Sequence, residues 1–469
     1  MVLAALAALG TASPSWADCV QNGSTVTCEP PGTGGFDAGA QNGLSLTVQS
    51  GATVSIPAPG TGILLNDNNS PVINNGTISS TSNFVIGIQA GNNNSITNNA
   101  TISVTGLTSQ GISVGSSNFI VNNGAISGRG SPGLISGVDN NTIVNNGTLS
   151  DSLNGKGISV QDGNTIVNSA SGIINISLGG TGIDASNTAG TTAPGTITNA
   201  GSITVGTNGT GINAFQNYTI NNSGTIRVGV NGNGITVTSD STVNNTGTIV
   251  GLNGAYGIWG QSGGNNNTFF NSGTITVSGS LGIGVFAESD NTTFTNYGTI
   301  AVSGGGIGVD LLGNNAASTN YGTITVSGTN GIGVFVEGDS ATFRNYGMVA
   351  VSGFRAVGVY LTGNNSVATN YGTITASGNI GVGVFAENNA ATFINYGLVQ
   401  ARNGAAAVDF CNCVPSGTLR NYGTLDGLVT MDGAGIVADN YGTITVTDSF
   451  TNTPAVTHTI AGIYTPIHR

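Results

Sequence analysis

The fold class this sequence predicts is all-β, a right-handed parallel β-helix of about sixteen coils of about 24 residues each. Three observations carry the prediction. A five-residue unit, Asn-x-Gly-Thr-Ile, recurs along most of the 469-residue chain. Apolar residues between its copies alternate with period two. Gly, Asn and Ser separate the apolar runs, and charged residues make up only 6% of the chain.

The repeat opens as NNGTI at Asn74 and returns from Asn98, Asn122, Asn145, Asn199, Asn222, Asn245 and Asn271, with a degraded copy, NSASGI, from Asn168. Later copies carry Tyr in the middle: NYGTI from Asn296, Asn320, Asn370 and Asn440, NYGMV from Asn345, NYGLV from Asn395 and NYGTL from Asn421. A spacing of about 24 residues lies in the range that marks a solenoid. A longer period overlies it. FAESDNTTFTNYG from Phe286, FVEGDSATFRNYG from Phe335 and FAENNAATFINYG from Phe385 alternate with DLLGNNAASTNYG from Asp310 and YLTGNNSVATNYG from Tyr360, as if two adjacent units were duplicated together.

Within a unit, Ile324 and Val326 share one face, Ile332, Val334 and Val336 another, and Phe343 and Asn345 a third. Three short β-branched strands per unit exclude a helix-containing repeat. An apolar face with no partner on its own level is covered by the next coil, so units stack as parallel strands about 4.8 Å apart. Strand-to-parallel-strand connections are right-handed, which sets the hand. Sixteen coils at that rise give a rod on the order of 75 Å.

The Asn of the unit falls in phase with the inward Phe or Ile, just before a Gly, where the chain bends and left-handed backbone is tolerated. Stacked in register, Asn296, Asn320, Asn345, Asn370 and Asn395 are expected to form a structural ladder, each amide donating to one neighbour and accepting from the other. A polar group that costs about 1–3 kcal/mol if buried unpaired is thereby satisfied. Tyr297, Tyr321, Tyr346, Tyr371 and Tyr396, on the opposite parity, are expected to form an exposed aromatic stack.

Residues 1–17 read as a signal peptide, a short apolar run followed by Ser15-Trp16-Ala17 as a small-x-small cleavage site. The positively charged n-region is missing, and a start upstream of Met1 is favoured over an atypical signal. Residues 18–70 lack the repeat and are expected to cap the open end, with LSLTV from Leu44 and ATVSI from Ala52 as first strands. Coils fill 71–447, and 448–469 form a tail or a truncated junction. Cys19 and Cys28 flank Asn22-Gly23, a turn signal, which makes a hairpin disulfide plausible in an oxidising compartment. Cys411 and Cys413 are a weak metal pair, since zinc wants three or four protein ligands, and read better as free or locally bridged thiols.

The Cys-hairpin start ADCVQNGSTVTCEPPGTGGFDAG, followed by many N-x-G-T-I coils, resembles the passenger region of autotransporter outer-membrane proteins of Gram-negative bacteria, of the β-helix adhesin type. The resemblance covers essentially all of the mature chain. It implies export through the periplasm to the cell surface, an outer-membrane β-barrel translocator as partner, and a role in attachment or virulence. The chain stops at Arg469 without a barrel, which leaves a fragment, a truncation or a secreted passenger open.

Against catalysis, the acidic candidates are periodic, whereas an active site is normally unique. Glu288 with Asp290, Glu337 with Asp339, and Glu387 recur about every fifty residues and read as a solvated, decorated face. Asp310 and Asp409 occupy matching positions. Arg129, Lys156, Arg227, Arg344, Arg355, Arg402 and Arg420 are scattered, and His458 and His468 sit in the tail. A net charge of -12 argues against nucleic acid as a partner. No Walker loop, Gly-x-Ser-x-Gly elbow or His-Glu-x-x-His motif is present. The expectation is a stalk with no enzymatic activity and no cofactor, binding cell-surface molecules or polysaccharide through many shallow sites. The rivals are a carbohydrate-active β-helix enzyme and self-association through an uncapped end. Because Val334 is assigned to the interior, Val334→Asp should bury an unpaired charge and open a local set of coils to protease. A variant as resistant as its parent would contradict the inward assignment.

Overall fold

The computed structural model describes residues 19–30, 34–65, 69–186, 193–387, 390–402, 405–411, 416–431 and 435–445. The signal peptide at 1–17, the tail at 448–469 with His458 and His468, and Cys413 lie outside the described residues. The described chain is all β, without helix, and forms a parallel β-solenoid of about sixteen turns.

Each coil contributes one strand to each of three sheets. In one coil these are Thr293–Asn296 in the first sheet, Thr299–Ser303 in the second and Ile307–Leu311 in the third. The next coil lays Ala317–Asn320, Thr323–Ser327 and Ile332–Val336 on them, parallel and in register, so Asn296 pairs with Asn320, Ile300 with Ile324 and Val309 with Val334. Alternate residues turn into a continuous interior. Phe294, Asn296, Ile300, Val302, Val309 and Leu311 are all buried.

The amino-terminal end is built differently. Cys19–Asn22 pairs antiparallel with Thr25–Cys28, and a disulfide joins Cys19 to Cys28 directly across the hairpin. Thr25–Cys28 then pairs in parallel with Ser45–Val48, which pairs with the Pro71–Asn74 strand. Coil stacking therefore begins inside the 18–70 segment, well before the first Asn of the repeat, and the Cys19–Asn22 strand lies across the edge of the first sheet.

The fifty-residue period has a packing cause. At the corner from the third sheet to the first, the last inward residue of one strand meets the inward residue of the next. A methyl added at Gly260 would stand 2.9 Å from the Phe269 ring of the same coil. Along the rod these pairs run Ala287 with Phe294, Leu311 with Ser318, Val336 with Phe343, Leu361 with Ala368 and Ala386 with Phe393, all buried. A larger residue on one side thus accompanies a smaller one on the other, and the order reverses from coil to coil. Interiors packed near crystalline density demand such compensation. It also accounts for the buried Ser318 hydroxyl, which has no hydrogen-bond partner and serves as a small filler beside Leu311.

The glycine of Asn-Tyr-Gly is required by close approach. A Cβ on Gly347 would lie 2.1 Å from the Gly322 carbonyl oxygen of the coil below, and Gly372 meets Gly347 in the same way. Left-handed backbone was expected at this bend, but it occurs at the other two corners: between the third and first sheets at Asn291, Asn315, Ser340 and Asn365, with φ of 53–58°, and between the second and third at Asn330 and Arg355, with φ of 59° and 58°. The ladder asparagines themselves stay extended at strand ends.

The volume exchange predicts a compensating pair. Leu361→Ala should destabilise its coil by about 2–5 kcal/mol through a cavity, and Ala368→Phe by about 1–3 kcal/mol through overpacking. The double variant should recover much of both losses, read as melting temperature and protection from proteolysis; strictly additive losses would show that the two sites do not share a volume.

Candidate functional site

Three side-chain columns run along the rod. The first is buried. Sixteen asparagines from Asn74 to Asn440 form a chain in which each but the last donates Nδ2–H to the Oδ1 of the next coil, in fifteen bonds of 2.7–2.9 Å. Asn296, Asn320, Asn345, Asn370 and Asn395 have no exposed surface. Each also donates to the carbonyl of the Gly two residues on, as Asn345 does to Gly347 at 3.2 Å, so both amide protons are used. The column is structural, because neither face of it reaches solvent.

A second buried column has the same logic and was missed in the sequence. Asn94, Asn118, Asn141 and Asn164 accept, on Oδ1, the backbone N–H of Ser70, Asn94, Asn118 and Asn141 at 2.7–2.8 Å. Its signal is an Asn four residues ahead of the ladder Asn, and it fades where Ala316, Ala341 and Ala391 take the position.

Next to the buried ladder, on the outer surface, lies a column that changes character along the rod. In the early coils Asn99, Asn123 and Asn146 donate to Asn75, Asn99 and Asn123 at 2.8–2.9 Å. From Tyr297 it becomes a stack of seven tyrosines through Tyr321, Tyr346, Tyr371, Tyr396, Tyr422 and Tyr441. Adjacent rings are 4.7–5.0 Å apart and within 10° of parallel. These rings are 43–60% exposed.

The third sheet carries the charged candidates. Its outward column reads Ser159, Asp184, Asn213, Thr236, Trp259, Phe286, Asp310, Phe335, Tyr360, Phe385, Asp409. Trp259 stacks on Phe286, and Phe335 stacks on Tyr360, which leans on Phe385. Asp310 interrupts the aromatic run. It is only 5% exposed, and its Oδ1 has no hydrogen-bond partner. Burial first, then the Glu337 and Glu288 carboxylates on the coils either side, push its carboxyl up to about 8.

The other acids are held rather than freely solvated. Glu288 accepts the Trp259 indole N–H at 2.9 Å, and Glu387 accepts the Tyr360 hydroxyl. Burial raises the Glu337 carboxyl. Asp290 accepts the Asn314 backbone N–H at 2.8 Å, and Asp339 that of Asn364 at 3.0 Å, so both tie turns of adjacent coils together. Of the acids expected on a solvated face, Asp339 and Glu387 are exposed and Glu288, Asp290 and Glu337 half-buried; Asp310, noted only as matching Asp409, is buried because large rings on both sides shade a short side chain. Among the described residues, no group of three or more His, Cys, Asp or Glu side chains is placed to hold a metal ion. Cys411 is in a disulfide.

The family model of the third pectate lyase-like domain of BigA matches residues 105–307, less than half of the chain. That span agrees with a β-helix over the coils it covers and ends just before Asp310. No curated protein and no solved structure matches the chain.

The raised Asp310 carboxyl fixes the sign of a pH effect. The folded state binds this proton up to about pH 8, whereas the unfolded chain releases it near 3.8, so the folded state holds more protons in between. Stability from this group is complete below about pH 4 and is lost as pH rises toward 8. Melting temperatures between pH 5 and 8 should fall more steeply for the parent than for Asp310→Asn; equal slopes would contradict the buried carboxyl.

Proposed function

We propose that the chain is a non-catalytic, exported structural and adhesive stalk, the passenger of an autotransporter-like system, that presents a repetitive surface to host or neighbouring cells or to polysaccharide. The seven-tyrosine stack is the observation that carries this reading. It is a long, exposed, amphipathic strip whose binding contributions sum over repeats. The match to a pectate lyase-like β-helix domain, the apolar-run start of the chain and the Cys19–Cys28 disulfide support a location outside the cytoplasm. A β-barrel translocator follows from the autotransporter resemblance, and self-association is a further use of such a surface.

The test is adhesion of the purified protein to cells and to immobilised polysaccharides. Replacing Tyr321, Tyr346 and Tyr371 by Ser should lower avidity by ~10-fold or more while leaving the strand content by circular dichroism unchanged. Adhesion at parental strength would remove the stack from the account.

One observation favours a second reading, a carbohydrate-active enzyme: the carboxylates of Glu288, Asp310 and Glu337 gather on one face of a chain that matches a pectate lyase-like domain. Release of soluble or unsaturated sugars from polygalacturonate, abolished in Asp310→Asn, would establish it and overturn the non-catalytic reading.

A further inference from the structure

The break in the third-sheet aromatic column has the form of a slot. Below it, Phe286 has one face stacked on Trp259 at 6.3 Å and 9°. Above it, Phe335 has one face stacked on Tyr360 at 4.7 Å and 8°. The remaining face of each ring therefore looks toward the level of Asp310, which pairs with Phe286 on one side and Phe335 on the other. Two strand spacings separate the rings, about 9.6 Å. A cation midway would stand about 4.8 Å from each ring, inside the ~6 Å reach of a cation–π contact. The floor is the Asp310 carboxyl group, whose Oδ1 has no hydrogen-bond partner, and Glu288 and Glu337 flank it.

The chain shows elsewhere in this column what such an acid accepts. Asp184 is equally buried, at 3% exposure. It takes the ammonium of Lys156 from the preceding coil and the Asn213 amide of the following one, the latter at 2.8 Å. At Asp310 the neighbours in the column are Phe286 and Phe335 instead, and among the described residues no cationic side chain pairs with it.

We propose that the Asp310 slot binds a primary alkylammonium group, of the kind a lysine side chain carries, supplied by another molecule. Its N–H donors satisfy the Asp310 Oδ1, its charge favours the ionised form of a carboxyl that burial and the Glu337 and Glu288 carboxylates otherwise disfavour, and the two ring faces hold its terminal methylene and nitrogen. A quaternary ammonium has no donor for Oδ1. A planar guanidinium stacked on both rings needs a narrower gap, about 7 Å between ring centres at ordinary stacking distance. A hard metal ion wants six or more oxygen ligands, which aromatic walls do not supply. The site stands whether or not the rod is adhesive, and it gives the rod a recognition chemistry distinct from the tyrosine strip.

The experiment is calorimetric titration of the full chain at a pH of about 9, where Asp310 is ionised and primary amines are still protonated, with n-butylammonium and with Nα-acetyl-lysine methylamide, and with choline and Nα-acetyl-arginine methylamide in parallel. Both primary amines should bind saturably in the millimolar range, and choline and the arginine analogue at least ~10-fold more weakly. Asp310→Asn, which keeps the shape and removes the charge, should weaken the amines by ~10-fold or more. Phe335→Leu, which removes one wall, should weaken them several-fold, and Thr369→Ala, on the first sheet, should change nothing. No saturable binding up to about 100 mM, choline binding as well as butylammonium, or undiminished binding by folded Asp310→Asn would each overturn the assignment.

Discussion

A carboxamide buried at every level of a solenoid dictates how all levels relate. The Asn side chain has a donor and an acceptor lying along the rod axis, and burial leaves only the coils above and below to satisfy them. That condition holds only when successive coils keep the same register. One slipped residue would turn that coil's Asn outward and leave the amides of the coils on either side unpaired in the interior. The Asn74–Asn440 ladder is therefore a registration device as much as a stabilising one, and the columns described above depend on it for their alignment.

Packing then refines what the ladder fixes. The interior cannot widen at one level without disturbing its neighbours, so a Phe on the first sheet accompanies a smaller residue on the third, and the reverse in the next coil. Duplicating two coils together keeps that exchange intact. The Tyr stack follows from the same register: residues adjacent to a perfectly aligned Asn column must themselves align, and at a rise near 4.8 Å aromatic rings stack face to face. The register also creates the exception. A small acid inserted in an aligned aromatic column leaves two ring faces opposed across a gap, and Asp310 becomes buried by its neighbours although its side chain points outward.

Much of this was written in the residue pattern. The solenoid was legible because period two and the Asn spacing are both one-dimensional signals. The positions of Asn345 and Tyr346 could be assigned to opposite sides of one strand by parity alone. The second column at Asn94 and Asn118 was not read, because Asn in a loop is common and only contact with the coil below distinguishes it. The two acids of each Glu-x-Asp pair looked alike as letters. In space Asp290 ties a turn, whereas Glu288 leans on Trp259, a difference that depends on which loop atoms approach from neighbouring coils. The burial of Asp310 was hidden for a similar reason: its neighbours in space are about 24 residues away in each direction.

Hydrogen–deuterium exchange of Asn345→Leu against the parent tests most directly whether the ladder holds the register. The substitution leaves Asn320 without an acceptor and Asn370 without a donor, at about 1–3 kcal/mol for each unpaired group. Protection should fall in the coils carrying Asn320, Asn345 and Asn370, on all three sheets, and return to parental values a few coils away in both directions. Unchanged protection at those three levels would mean that apolar stacking alone sets the register, and the central place given to the ladder would be wrong.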